Sequence, residues 1–192
     1  MARSILSSNC IDIILKNEGG FQISPSDWGN WNKIHNTDCP HPLRYMSENC
    51  LNCKKCLIGT NRGIAARYFA HLYDIKQLTL REIKDIYYHH FWKIQNVESL
   101  IPINNDNLIL QLFDFGVNTN PFHANKTLQR LIGAKVDGYI GEETLSKVIE
   151  CRGDILEDYK HARKIYYEYI AQKNNNKIFL KGWLYRVDKT HI

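Results

Sequence analysis

The sequence predicts a mainly α-helical protein, and three observations carry that expectation. Apolar residues recur at helical spacing over most of the chain. The periodic runs carry start and stop chemistry: a capping hydroxyl or carboxylate, or a proline, at the front and glycine behind. One run, "LILQLFDFGVNTN", is apolar nearly all round, which predicts a central buried helix rather than a surface one. The 192 residues are 44% hydrophobic, enough for one compact core, in one lobe or two.

The first periodic run has Ile11, Ile14 and Leu15 as its apolar face, with Ser7 or Ser8 placed to cap it. Gly19 or Gly20 is expected to stop it by taking the left-handed conformation. Residues 21–60 lack sustained periodicity and hold Pro, Gly, Asn, His and four of the six cysteines. "NRGIAARYFAHLYD" reads as helix. "LTLREIKDIYYHHFWKI" follows, opened by a capping box of Thr79 and Glu82. "IPINNDN" is a polar break, and the stretch near residues 96–107 is where a lobe boundary would fall. It divides the chain into regions 1–98 and 99–192, expected to pack as one unit.

Beyond the central run, "PFHANKTLQRLIG" has Pro121 in its first turn and Gly133 just past its end. "VDGYIG" is a turn. "EETLSKVIECRG" and "DILEDYKHARKIYYEYIAQK" are amphipathic helices, the second opened by Asp154 with Glu157 three residues on. "NNNK" is a loop and "FLKGWLYRV" a last short helix. His89, His90 and His123 lack ligand spacing and read as packing or surface residues. Cys10 and Cys151 lie on helical faces and read as core.

The net charge of +5 is a mild excess spread along the chain. It suits an anionic polymer such as cell wall, and nucleic acid is not an expected partner, since no basic cluster stands out. No run reaches the length of a membrane span. "MARSILSSNCIDIILKNE" is interrupted by Ser, Asn and Asp, so it reads as an amphipathic helix rather than a signal-peptide core. The expectation is a protein made in a cytoplasm, where six cysteines point away from disulfides.

Glu18 ends the first helical run. Carbonyls at a helix C-terminus carry partial negative charge, so an ionised carboxylate is disfavoured there. A general acid must hold its proton, and such a position helps it do so. Nine residues on, Asp27 sits in a Pro- and Gly-containing loop able to fold back toward Glu18. Two carboxylates of unlike environment are the equipment of glycoside hydrolysis. The plainer readings are a surface Glu at a helix end and an Asp serving its own turn.

"EGGFQISPSDWG", "GTNRGIA" and "LTLREIKDIYYHHFW" resemble, in order, motifs of glycoside hydrolase family 108. These are lysozyme-like N-acetylmuramidases of phages and bacteria, often labelled secretion activators. "LFDFGVNTN", "TLQRLIG", "VDGYIGEETL" and "FLKGWLYRV" resemble the peptidoglycan-binding region that accompanies the family. The resemblance runs over nearly the whole chain apart from residues 30–57. It implies a lysozyme-like α+β fold, with a small β-element around residues 20–30 and 57–62 and "LILQLFDFGVN" as central helix. It implies Glu18 as the catalytic acid. The Glu, Asp, Thr arrangement of phage lysozymes would fall on Glu18, Asp27 and Thr60. Asp27 would activate water or stabilise an oxocarbenium ion, and Thr60 would hold that water. Trp28 stands where the family usually has Pro or another small residue.

In the second half the family pattern is F-D-F-x-V-N-x-G. Asn118 is a candidate partner for an N-acetyl sugar, or else a turn residue at a helix end. Asn120 replaces the last glycine, in a turn whose left-handed backbone Asn tolerates. Asp114, on an apolar helix, needs a partner if buried and is expected to be structural. The implied partner is the peptidoglycan glycan strand, and the implied site of action is the cell wall or periplasm. With no signal peptide, export would use a holin or a secretion machine.

"DCPHPLRYMSENCLNCKKC" holds Cys39, Cys50, Cys53 and Cys56 in an insert spanning residues 30–57 and expected to overhang the cleft. Four thiolates close in a polar segment suit a structural zinc ion, with His35 and His41 as reserve ligands. Free thiols, disulfides and an iron–sulfur cluster are the other readings. Catalysis itself needs no cofactor in this reading. Three functions remain open: a peptidoglycan hydrolase, a non-catalytic wall-binding secretion accessory protein, and a zinc-finger-like adaptor.

Overall fold

The computed structural model describes residues 4–31, 57–173 and 177–192. They fall into two units, Met1–Ile13 with Ile86–Ile192, and Ile14–Asp85. The expectation of a mainly α, lysozyme-like fold with a small β-element holds: among the described residues, helices dominate and the sheet has three short strands.

Helix α1 spans Ile5–Asn17 and buries Ile11, Ile14 and Leu15. Its cap differs from expectation. Ser4 Oγ accepts from Ser7 N at 3.1 Å, so the helix starts one turn earlier and Ser7 is buried inside it. Neither Gly19 nor Gly20 takes a left-handed backbone. The chain leaves α1 and runs directly into a strand, so no reversal at glycine is required.

The second unit carries that sheet. Strands β1 (Phe21–Gln22), β2 (Thr60–Asn61) and β3 (Ile64–Ala65) pair antiparallel in the order β1-β2-β3. Arg62 and Gly63, with φ of 46° and 79°, form the two-residue turn between β2 and β3, the positive φ pair that suits strand twist. "NRGIAARYFAHLYD" therefore yields only a short helix α2, Ala66–Phe69, because this hairpin claims its first residues. Thr79 and Glu82 form the expected capping box: Glu82 N donates to Thr79 Oγ1 at 3.3 Å and Thr79 N to the Glu82 carboxylate at 2.8 Å. Thr79 Oγ1 also donates to that carboxylate at 2.7 Å, and this bond, with the one from Thr79 N, holds the Glu82 carboxyl below its ordinary value. Helix α3 (Leu80–Tyr87) passes through a π-helical segment, Tyr88–Trp92, into α4 (Lys93–Gln95).

In the first unit a 3-10 helix, Val97–Ile103, leads to α5 (Asp106–Asn118), whose residues 108–116 are all buried. Helices α6 (Pro121–Ile132) and α8 (Ile155–Lys173) pack on α5, α7 (Glu142–Glu150) packs on α6, and α9 (Lys177–Lys189) packs on α8. Pro121 opens α6 and Gly133, at φ +64°, closes it, as expected. Asp154 Oδ1 accepts from Glu157 N at 3.2 Å. "FLKGWLYRV" proves to be part of a 13-residue helix. Asn120 is extended, not left-handed; it caps α6 through bonds from Phe122 N and His123 N. Gln129 ties down the "VDGYIG" turn, accepting from Gly138 N at 2.8 Å and donating to Asp137 and to the Tyr139 carbonyl at 2.9 Å.

Asp114 is fully buried on α5 and does have partners. Arg163 Nη2 from α8 reaches Oδ2 at 2.7 Å, and Arg186 Nη2 from α9 reaches Oδ1 at 2.8 Å. Arg163, also fully buried, donates to the side chain and carbonyl of Gln111 as well. Burial, the largest single influence, would lower its proton affinity; the Asp114 carboxylate and Tyr167 together outweigh that, and the net shift is upward. Gln111 Nε2 in turn donates to the carbonyls of Val187 and Thr190 at 2.8 and 2.7 Å.

His123 lies against Tyr166 and Phe115, with ring centroids 4.5 and 5.5 Å away, and packs as expected. Burial first, then the charges of Arg130 and Lys126, lower its pKa. Burial also pushes the Cys10 thiol up to about 12, in keeping with a core residue. Cys151 is half-buried, just past the end of α7.

Asp114→Ala leaves Arg163 buried without its carboxylate. It should cost about 3–5 kcal/mol, as for breaking a buried ion pair from one side. Urea unfolding measures this; a loss within the scatter of surface substitutions would show that the pair is dispensable.

Candidate active site

The three catalytic residues expected from the sequence, Glu18, Asp27 and Thr60, all lie in the unit Ile14–Asp85. Glu18 is half-buried and directly follows the last residue of α1, three residues before β1 begins. Gly20, between them, accepts from Arg62 N at 3.4 Å, which brings the end of this segment against the β2–β3 turn.

Asp27 is the cap of a short 3-10 helix, Trp28–Asn30, and its Oδ1 accepts from Gly29 N at 2.8 Å. The plain turn role is therefore real, but it uses only one oxygen. Oδ2 accepts from Gln22 Nε2 at 2.8 Å. Gln22 and the buried Asn30 exchange amide bonds at 3.1 and 2.9 Å, and Asn30 Nδ2 also donates to the Ser24 carbonyl at 3.0 Å. A strand residue thus fixes the rotamer of the loop carboxylate. Gln22 and Asn30 were not foreseen as site residues: neither a two-residue strand nor a buried amide in an aperiodic stretch has a sequence signature.

Gln22 sits opposite Thr60 in the β1–β2 register. A methyl built on Gly29 would lie 3.1 Å from Asp27 Oδ1 and 3.6 Å from Thr60 Oγ1. The carboxylate and the hydroxyl therefore face one small space over the Gly29 Cα. Thr60 Oγ1 is buried and has no hydrogen-bond partner among the described residues. A buried hydroxyl left unpaired is costly, and such atoms collect at places where something else binds.

The insertion does not part Asp27 from Thr60. Trp31 and Leu57 form an antiparallel bridge at its neck, and Ile58 N and Gly59 N both donate to the Asn30 carbonyl, at 2.9 and 3.0 Å. Trp31, buried, adds an Nε1 bond to the Pro25 carbonyl at 3.0 Å. Cys39, Cys50, Cys53 and Cys56, with His35 and His41, lie outside the described residues. Among the described residues there is no group of three metal-ligating side chains.

Asn118, in the other unit, is exposed at the last turn of α5. Its Nδ2 donates to the Asp114 carbonyl at 2.8 Å, a helix-end contact that occupies one amide hydrogen.

Residues 11–119 match the family model described as Glycosyl hydrolase 108, and residues 123–188 match that described as Predicted Peptidoglycan domain. The structure of Brucella abortus SagA is similar in fold, with a TM-score of 0.69 at 22% identity over 96% of this chain and 90% of that one. No curated protein matches the chain.

Gly59 has φ +115°, and a Cβ there would stand 2.7 Å from the Phe21 ring and 2.8 Å from the Gln22 carbonyl. Gly59→Ala should lose at least roughly 1–3 kcal/mol through backbone strain alone. It should also displace β1, and Gln22 with it. Denaturant unfolding and hydrogen exchange at Gln22 and Thr60 are the measurements; unchanged protection in both strands would refute the assigned packing.

Proposed function

The chain belongs to the glycosyl hydrolase 108 family, and from that premise we propose that it is a lysozyme-type N-acetylmuramidase cutting the β-1,4 bond of the cell-wall glycan strand. Its two family matches make its function a peptidoglycan one. The observation that carries the finer reading is the convergence of Asp27 Oδ1 and the unpaired Thr60 hydroxyl on one space, inside the hydrolase match.

In this reading Glu18 donates its proton to the glycosidic oxygen as the bond breaks. Asp27, held by Gln22 and Gly29, activates the attacking water or stabilises positive charge on the sugar ring. Thr60 positions that water through its hydroxyl. Asn118 contacts an N-acetyl group with the amide hydrogen that Asp114 leaves over. The C-terminal helical region holds the wall. No helix among the described residues is long and apolar enough to cross a membrane. Delivery to the wall belongs to a holin or a secretion machine, in service of lysis or of protein export.

Glu18→Gln keeps the shape but removes the proton. Clearing of purified wall should fall by roughly 10²–10⁴-fold, the scale of general acid catalysis, with the melting temperature nearly unchanged. Mass spectrometry of wild-type digests should find N-acetylmuramic acid at the new reducing end. Wild-type clearing by the variant removes Glu18 as the acid. A wild-type chain that binds wall without clearing it is a non-catalytic accessory protein instead.

The spacing of Cys39, Cys50, Cys53 and Cys56 supports one structural zinc ion per chain. Purified protein should carry about one equivalent, as a four-thiolate site does. Chelation should leave the helical circular dichroism intact, because the helices bury apolar faces of their own. Metal-free protein with all four thiols reactive would show the spacing to be fortuitous.

A further inference from the structure

We propose that Trp28 and Arg67 form a binding subsite for a sugar residue that carries a carboxylate, next to the reacting bond; the inference rests on the hydrolase reading. Trp28 follows Asp27 and precedes Gly29 in the short 3-10 helix, yet it is 57% exposed. A large indole on the surface forgoes burial that nearly every other tryptophan of the chain obtains in part or whole. Its position is fixed from two sides. The Asp27 cap sets the backbone that bears it, and the Arg67 guanidinium lies 5.8 Å from its ring centroid.

Arg67 comes from α2, and the N-cap of α2 is Ala65. Ala65 Cβ is 3.4 Å from a methyl built on Gly29, the same point that Asp27 Oδ1 and Thr60 Oγ1 face. The two residues before Gly29, and the helix that starts beside it, thus bring a carboxylate, an indole and a guanidinium to one place. An indole offers a flat apolar face to the C–H face of a pyranose ring. A guanidinium presents a planar fork of donors that fits a carboxylate. A neutral amino sugar satisfies only the first. A muramyl unit with a free carboxylate, on its lactyl ether or on its stem peptide, satisfies both.

The test is calorimetric binding to the full chain carrying Glu18→Gln, so that the glycan survives. Three probes are compared: chitohexaose, which is neutral; glycan stripped of peptide, with free lactyl carboxylates; and peptide-bearing glycan. Trp28→Ala should weaken all three about tenfold, and Trp28→Phe should recover most of the loss. Arg67→Gln should weaken only the carboxylate-bearing glycans, by about tenfold, with Arg67→Lys in between. The stripped and peptide-bearing arms show which carboxylate is read. Thermal unfolding of each variant reports its fold, and the Phe and Lys variants carry the comparison if either truncation unfolds. Parental affinity in the variants, or an equal loss of neutral and anionic glycans in Arg67→Gln, overturns the subsite. If that happens while the unsubstituted chain clears wall, the subsite alone falls. If the unsubstituted chain neither clears wall nor binds any probe, the hydrolase reading falls and takes the subsite with it.

Discussion

A single buried carboxylate organises the larger unit. Asp114 stands in the middle of an otherwise apolar helix, where an ionised group without partners is strongly destabilising. Two arginines answer it, Arg163 from α8 and Arg186 from α9. Each can reach Asp114 only if its helix packs at one rotation and one height. The ion cluster therefore acts less as a source of net stability than as a register device, since a buried pair roughly offsets its own desolvation. Gln111, one turn earlier on α5, extends the same constraint by binding the carbonyls at the end of α9. The apolar residues of α5 make it central; its two buried polar ones decide what surrounds it.

The smaller unit uses a comparable device without charge. Gln22 and Asn30 exchange amide bonds, and Gln22 passes the constraint to Asp27. Preorganisation of this kind suits the role proposed for Asp27, because a group held in place before a reaction need not be reoriented during it. The sheet that carries Gln22 is only three strands of two residues each. It survives at that size because the insertion is closed at its neck by the Trp31–Leu57 bridge and by two bonds to the Asn30 carbonyl. Whatever the insert adds, the loop before it and the strand after it are tied together independently.

Much of the architecture was legible in the chain itself. The 3.6-residue period located α1, α5, α6, α7 and α8. The capping chemistry of Thr79 with Glu82, of Asp154, and of Pro121 with Gly133 marked ends that the structure reproduces. These features are legible because they are local: a cap or an apolar face is decided by residues within a few positions. Where local rules had two answers they chose less well. Ser4, not Ser7 or Ser8, caps α1, and Asn120 serves as a helix cap rather than a left-handed turn residue. The helix expected across residues 61–74 gave way to a hairpin, since pairing with a strand 40 residues away outweighs the helical preference of a few alanines.

The sequence by itself determined that this is a helical protein with a buried central helix, and it placed Glu18 and Asp27 in "EGGF" and "PSDWG", segments that resemble glycoside hydrolase motifs. Tertiary structure alone decided which groups meet. That Asp27 and Thr60 face one space depends on the β1–β2 register and on a glycine at position 29, both long-range facts. That Asp114 is structural depends on two arginines 49 and 72 residues away. Contacts between distant segments arise only once chain entropy has been overcome by the packing of whole elements, and no short stretch of sequence encodes them.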